Sequence, residues 1–118
     1  LRNSKGCLLH FTSSSYTLGR PYYSLYSSTK AAVVNFVQAL SQEWQGDGIR
    51  VNCINPERTK TPMRERNFGQ EDECTLLKPE DVAKAAIATL LSNQSGRVID
   101  VRIKNNKEHK IGNEKAQK

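Results

Sequence analysis

Tyr26 and Lys30 are four positions apart, and Ser13 precedes the tyrosine by thirteen residues. In a helix, side chains at this i, i+4 spacing lie one above the other on the same face. An ammonium group one turn from a phenol favours the phenolate, and a phenol in this setting can give or take a proton near neutral pH. A hydroxyl such as that of Ser13 can polarise a carbonyl beside it. The Tyr26–Lys30 spacing is also common on ordinary helix surfaces.

An amphipathic helix is predicted to carry this tyrosine–lysine pair. Between residues 22 and 45, apolar side chains recur at helical spacing and form one stripe. The stripe consists of Val33, Phe36, Val37, Leu40 and Trp44. The apolar runs Cys7–Thr12 and Ile49–Ile54 on either side of the helix predict two strands, joined by a right-handed parallel crossover.

The rest of the pattern adds a second helix and a third strand. Pro79 stands at a first helical position, with acidic residues in the first turn, and Val98–Ile103 predicts the strand. The order strand, helix, strand, helix, strand predicts an α/β fold with three layers, α/β/α. The serine-rich loop Ser13–Pro21 follows the carboxyl end of the first strand, where ligands bind in open α/β sheets.

Several motifs occur in the order and at the separations of a known enzyme family. They are Phe11–Ser14, Gly19, Tyr26, Lys30, Asn55-Pro56 and Thr61–Met63. From about residue 5 to residue 101 the chain resembles the C-terminal half of a short-chain dehydrogenase/reductase. The separations between Ser13, Tyr26 and Lys30 match those of the family's catalytic serine, tyrosine and lysine.

The resemblance implies a catalytic role for each of these three residues. Tyr26 protonates the substrate's carbonyl oxygen as a hydride arrives from a nicotinamide cofactor. Lys30 favours the phenolate and holds the nicotinamide ribose, while Ser13 orients the carbonyl.

The resemblance also implies a cofactor site after the second strand. The residues expected to bind the cofactor are Tyr26, Lys30, Pro56, Thr59 and Thr61, and the last of these keeps the family's spacing of five residues after the proline. Glu57 stands where the family has glycine, so a side chain is expected at a place where the backbone approaches the nicotinamide ring.

Two stretches, Leu8–Tyr16 and Asn55–Thr59, resemble one branch of the family, the reductase domain of bifunctional ribitol-5-phosphate cytidylyltransferases. This branch implies reduction of ribulose 5-phosphate to ribitol 5-phosphate, for CDP-ribitol and capsule or teichoic-acid synthesis. It favours NADPH (NADP) over NADH (NAD). A fused cytidylyltransferase domain and a homo-oligomer formed through the helix at residues 22–45 are also implied.

The loop after the second strand is rich in basic side chains. Arg58 and Arg64 could hold the phosphate of a sugar substrate through bidentate, charge-assisted hydrogen bonds. The loop could equally be an exposed basic surface balanced by nearby carboxylates. Residues 67–76 are interpreted as a mobile substrate loop.

The predicted sheet lacks the elements that begin a complete dinucleotide-binding fold. No glycine-rich turn is present to receive a pyrophosphate. We therefore expect residues 1–103 to form the C-terminal half of a Rossmann-like doubly wound parallel sheet, with the N-terminal half absent. Such a piece exposes an apolar strand edge, so alone it is expected to associate or fold poorly and to be inactive.

Composition indicates a cytoplasmic protein. The three cysteines are an odd number without framework spacing, which is typical of reduced thiols. No apolar run reaches the length of a membrane span, and no metal-ligand cluster is present, so we expect neither a membrane nor a metal as partner.

Two non-enzymatic functions are alternatives to the reductase. Glu57 and the missing cofactor turn favour a structural or oligomerisation module. The net charge of +6 would suit a nucleic-acid binder, but residues 104–118 hold five lysines and two glutamates and so carry half of it. This segment is interpreted as a disordered tail without interleaved aromatic residues for base stacking, so no nucleic-acid partner is expected.

Overall fold

The structure is a computed structural model that describes residues 1–104. This part of the chain consists of β1 (Cys7–Phe11), α1 (Ser24–Glu43), β2 (Arg50–Pro56), α2 (Pro62–Phe68), α3 (Pro79–Leu91) and β3 (Val98–Val101). Short 3-10 turns lie at Arg2–Ser4, Ser14–Tyr16, Gln45–Asp47 and Glu73–Thr75. The tail is predicted for residues 104–118, and all of it after residue 104 lies outside the described residues.

The three strands form a parallel sheet in the order β1-β2-β3, which confirms the predicted sheet. In the central strand, Cys53 pairs with His10 of β1 and with Val98 of β3. β2 continues past its predicted end, because Pro56 still pairs with Val101. β3 ends at this pair, so it is shorter than predicted.

Helices α1 and α3 cover opposite faces of the sheet, which confirms the three-layer arrangement. The core on the α1 face consists of Val37, Leu40, Ile49, Val51 and Cys53. Side chains alternate between the two faces of a strand, so Cys7 and Arg50 point to the other face. There they contact the carbonyl oxygen of Leu90 in α3, at 3.7 and 3.0 Å. The strands follow one another in a single direction across the sheet, while the connecting helices α1 and α3 lie on opposite faces. The β1–α1–β2 and β2–α3–β3 crossovers therefore have opposite hands, although parallel crossovers are almost always right-handed.

The buried stripe of α1 differs from the predicted one. Its buried residues are Ser27, Val34, Val37 and Leu40, whereas Phe36 is 52% exposed. The prediction that Phe36 belongs to the stripe is therefore wrong as a statement of core packing, and Val34 takes its place. Both sets of residues have helical spacing, so periodicity alone does not choose between them. The position of the sheet does.

The segment after β2 was predicted as a loop, but it contains α2. The Thr61 hydroxyl caps this helix by accepting a hydrogen bond from the backbone N–H of Arg64 at 3.2 Å, and Pro62 occupies the first turn. Both are known helix-start signals. At seven residues, the helix is too short to show a periodic apolar pattern.

The three thiols differ in exposure, which gives a test of the core. Cys53 is buried, Cys7 is half-buried and Cys74 is exposed. Burial raises the pKa of the Cys53 thiol above its ordinary value, which suppresses the reactive thiolate further. We expect a thiol reagent to modify Cys74 first and Cys53 only after unfolding in urea, as followed by peptide mass mapping. Equally fast labelling of both in the native protein would contradict this core.

None of the described helices is long and apolar enough to cross a membrane. Within residues 1–104, no group of His, Cys, Asp and Glu side chains is arranged to hold a metal ion.

Candidate functional site

Ser13 lies just beyond β1, where the chain leaves the carboxyl edge of the sheet. Its backbone is extended, with φ −151° and ψ 156°. Its hydroxyl oxygen accepts a hydrogen bond from the backbone N–H of Ser15 at 3.2 Å, which caps the 3-10 turn that follows. Because the oxygen is the acceptor, the hydroxyl hydrogen can still be donated to a substrate carbonyl.

Tyr26 and Lys30 lie on the first two turns of α1, as their spacing predicts. The Lys30 ammonium nitrogen is 5.7 Å from the centre of the Tyr26 ring. It also donates a hydrogen bond to the backbone oxygen of Phe11 at 3.2 Å, which uses one of its three N–H groups. Tyr26 is 46% exposed, so its hydroxyl can reach a ligand. The structure therefore brings the pair to the end of β1 that leads into Ser13.

Buried hydroxyls hold the connection between β1 and α1. The Ser27 hydroxyl accepts a hydrogen bond from the backbone N–H of Arg20 at 3.3 Å. The Thr12 hydroxyl donates to the carbonyl oxygen of Lys30 at 2.8 Å, and both hydroxyl residues are 4% exposed. Neither stands out in the sequence, because serine and threonine make local backbone bonds in many surface turns.

The Glu57 side chain is directed toward β3. One carboxylate oxygen accepts a hydrogen bond from the Arg102 guanidinium at 3.2 Å, and the other accepts one from the backbone N–H of Ile103 at 2.7 Å. Both partners follow β3, which lies on the far side of β2 from β1 and Ser13. The carboxylate thus does not cover the side of Pro56 that faces β1.

Thr59 and Thr61 differ in how their hydroxyls are used. Thr59 donates its hydroxyl hydrogen to the carbonyl oxygen of Glu57 at 2.9 Å, and its backbone bridges to Leu77. Thr61 accepts a bond as the cap of α2 and so keeps its hydrogen for a ligand. Of the two, Thr61 is the better placed to donate to a bound molecule.

Asn55 is a polar residue that the sequence analysis did not assign to the site. It lies near the carboxyl end of β2 and is 2% exposed. Its amide nitrogen donates to the carboxylate of Asp100 at 2.7 Å, while its amide oxygen has no hydrogen-bond partner among residues 1–104. Buried acceptors without a partner are rare, and this one lies inside the fold, out of contact with solvent.

Arg64 is held within the segment that follows β2. Its guanidinium forms two hydrogen bonds with the Glu71 carboxylate, at 2.7 and 3.0 Å, and lies 4.4 Å from the centre of the Phe68 ring. These bonds hold the pKa of Glu71 below its ordinary value. Lys60 is paired with Glu73 in the same segment. Two basic side chains of this segment, Lys60 and Arg64, are therefore balanced by carboxylates.

A cavity of about 360 Å³ lies beside this ion pair and is lined in part by Thr61, Arg64 and Glu71. Arg58 is exposed. The hydrogen bonds of the described residues join neither arginine to the catalytic candidates on β1 and α1. Arg64 is thus engaged by Glu71 within its own segment.

Known proteins resemble this chain over most of its length. The family model described as enoyl-(acyl carrier protein) reductase matches residues 1–100. The bifunctional ribulose 5-phosphate reductase/CDP-ribitol pyrophosphorylase Bcs1 of Haemophilus influenzae is 57% identical over 104 residues, which are 88% of this chain and 22% of Bcs1. The chain belongs to the short-chain dehydrogenase/reductase family.

Solved structures of related enzymes match its part of the Rossmann-like fold. A 3-ketoacyl-(acyl-carrier-protein) reductase from Brucella melitensis, complexed with NADH, has a TM-score of 0.71 and 30% identity, and the match covers 80% of this chain and 42% of that one. ElxO with NADP bound has a TM-score of 0.69 and 27% identity, covering 85% and 46%. This short-chain dehydrogenase/reductase chain therefore spans less than half of these solved relatives.

Proposed function

We propose that this chain supplies the proton-transfer residues of an NAD(P)H-dependent carbonyl reductase, as part of a longer protein that reduces ribulose 5-phosphate to ribitol 5-phosphate. The observation that carries the proposal is the Lys30 ammonium beside the Tyr26 ring, at the end of β1 that leads into Ser13. The 57% identity to Bcs1 supports the choice of substrate.

In this proposal the three side chains share the work of converting a ketone to an alcohol. The Ser13 hydroxyl donates a hydrogen bond to the carbonyl oxygen and polarises it. Tyr26 transfers its phenolic proton to the same oxygen, which completes the alcohol. The Lys30 ammonium stabilises the phenolate that remains. A nicotinamide cofactor held by Lys30 and Thr61 would supply the hydride for the carbonyl carbon.

The side chains at this edge of the sheet fit a nicotinamide cofactor, whose ribose hydroxyls and amide oxygen accept hydrogen bonds. The Lys30 ammonium and the Thr61 hydroxyl can both donate. Pro56 ends β2 at this edge, and Thr59 supports the same turn through its bond to the preceding backbone. These residues are proposed to hold the cofactor.

NADPH is proposed as the cofactor in preference to NADH. The support is the resemblance to the ribitol-phosphate branch, and the two solved relatives hold NADH in one case and NADP in the other. Titration of the full-length protein with both reduced cofactors, followed by nicotinamide fluorescence, decides between them.

The name of Bcs1 supports a fused cytidylyltransferase (pyrophosphorylase) domain and a place in CDP-ribitol synthesis. The use of CDP-ribitol for capsule or teichoic-acid polymers is proposed from the resemblance to the ribitol-phosphate branch, and a cytoplasmic location from the odd number of cysteines without framework spacing. A homo-oligomer formed through α1 is also proposed, because Leu25 and Phe36 on this helix are 81% and 52% exposed.

Arg58 and Arg64 are proposed to bind the phosphate of the substrate. The Arg64 guanidinium already holds a carboxylate in the two-point geometry that a phosphate can adopt. It borders the cavity beside α2, and exposed Arg58 lies in the turn just before that helix.

We expect Arg64→Ala to raise the KM for ribulose 5-phosphate by about tenfold to a hundredfold, since a hydrogen bond to a charged group contributes roughly 1.5–3 kcal/mol. The KM for unphosphorylated ribulose should change little. Steady-state kinetics with both sugars measure the difference. Arg66→Ala, which changes an exposed arginine on the same helix, is the matched control. Equal effects of Arg64→Ala on both sugars would assign Arg64 to loop stability and not to phosphate binding.

The proposed function is tested by cofactor oxidation with the full-length protein and a panel of ketones. Turnover with ribulose 5-phosphate supports the whole proposal. Turnover with other ketones alone keeps the reductase and removes the substrate assignment. Failure to bind either cofactor would favour the structural or oligomerisation module instead.

A further inference from the structure

Thr12 connects the three elements that meet at the proposed active site. It lies between the last residue of β1 and Ser13, and it is 4% exposed. Its backbone N–H donates to the carbonyl oxygen of Ile54 in β2 at 2.9 Å. Its hydroxyl donates to the carbonyl oxygen of Lys30 in α1 at 2.8 Å. Thr12 therefore joins the end of β1 to both β2 and α1, directly before Ser13.

The bond from the Thr12 hydroxyl is additional to regular helix bonding. In an α-helix each carbonyl oxygen accepts from the N–H four residues later, so the Lys30 carbonyl does not depend on Thr12 for a partner. The two residues are eighteen positions apart, so the bond fixes α1 against β1 and does not shape a local turn. The Lys30 ammonium contacts the Phe11 carbonyl as well. Lys30 is thus tied to the end of β1 through both its backbone and its side chain.

We propose that Thr12 is a positioning residue, whose hydroxyl sets the place of Lys30 and Tyr26 relative to Ser13. This inference rests on the proposed function of the site. Ser13 follows Thr12 directly in the chain, and the carbonyl oxygen of Lys30 accepts the hydrogen bond from the Thr12 hydroxyl. A shift at Thr12 therefore moves the Ser13 hydroxyl relative to the phenol of Tyr26. Misplacement of reacting groups by about 1 Å can lower a rate roughly a hundredfold.

Thr89 offers a matched comparison for a purely structural hydroxyl. It is 5% exposed, and its hydroxyl donates to the carbonyl oxygen of Ala85 at 2.8 Å. It lies on α3 next to Leu90, which contacts the first residues of β1 and β2, at the opposite edge of the sheet from Ser13. The Thr89 bond is local to α3. Thr89→Val therefore removes a buried hydroxyl without loosening α1 from β1.

The test compares Thr12→Val, Thr12→Ser and Thr89→Val in the full-length protein. We expect Thr12→Val to lower kcat by about tenfold to a hundredfold, and Thr12→Ser to restore most of the loss because it keeps the hydroxyl. Thr89→Val should keep the wild-type kcat. Thr12→Ala, which loses the same hydroxyl with less steric demand, replaces Thr12→Val if that variant does not fold.

Two results would overturn the positioning role while leaving the reductase intact. One is a wild-type kcat in Thr12→Val, and the other is an equal loss in Thr12→Ser. A loss in Thr89→Val as large as that in Thr12→Val would also overturn it, because lowered stability would then explain both. A wild-type protein without turnover on any ketone would remove the proposed function and the positioning role together.

Discussion

Replacing Tyr26 by phenylalanine is expected to lower the kcat of the full-length protein by about 10²–10⁴-fold, the usual contribution of a general acid. The change removes only the phenolic oxygen. The ring itself is kept. Its centre lies 6.4 Å from the centre of the Tyr23 ring and 5.7 Å from the Lys30 ammonium nitrogen. The loss should fall on kcat more than on KM, because the proton is transferred in the transition state. Steady-state cofactor oxidation at saturating ketone measures it.

Tyr23→Phe is the control for this variant. Tyr23 has the same exposed fraction as Tyr26, 46%, and its ring is the neighbouring one. The Tyr23→Phe variant should keep wild-type turnover. Equal losses in the two variants would mean that the start of α1 tolerates no change, and full activity of Tyr26→Phe would exclude the tyrosine as the acid.

Replacing Lys30 by methionine is expected to lower kcat by about 10²–10³-fold, the size found when one preorganised donor is removed. It should also weaken cofactor binding, since the proposed contact to the ribose is lost. Methionine keeps an unbranched apolar stem, so the packing of α1 on the sheet is largely preserved. Turnover measures the first effect, and a fluorescence titration with NADPH measures the second.

Lys84→Met provides the comparison on the other side of the sheet. Lys84 is an exposed lysine of α3, and its loss should leave both kcat and Kd unchanged. A Lys30→Met variant with weak cofactor binding but normal kcat would limit the lysine to cofactor binding and remove it from proton transfer.

The elements around the tyrosine and lysine were predictable because each has a local signal in the sequence. The run of apolar residues before Ser13 predicts a buried parallel strand, and β1 forms there. Pro79 followed by two acidic residues predicts a helix start, and α3 begins at that proline. The i, i+4 spacing of Tyr26 and Lys30 places their side chains together once α1 forms.

Other features depend on contacts between distant parts of the chain. Val34 replaces Phe36 in the core because of where the sheet lies, which helical periodicity does not contain. The Glu57 carboxylate is directed by Arg102 and Ile103, some 45 residues later, so its direction could not be inferred from its own position. The bond from the Thr12 hydroxyl to α1 also joins distant residues. It could not be predicted from the sequence, because no periodic pattern pairs a strand end with a helix carbonyl.

The proposed hydride reduction of ribulose 5-phosphate is tested most directly by following the hydride itself. The full-length protein would be given ribulose 5-phosphate and NADPH deuterated at C4 of the nicotinamide, on each face in turn, and the product analysed by mass spectrometry. One of the two labelled cofactors is expected to place a single deuterium in ribitol 5-phosphate, and Tyr26→Phe is expected almost to abolish the product. Product without deuterium from either cofactor, or undiminished product from Tyr26→Phe, would contradict the proposed reduction.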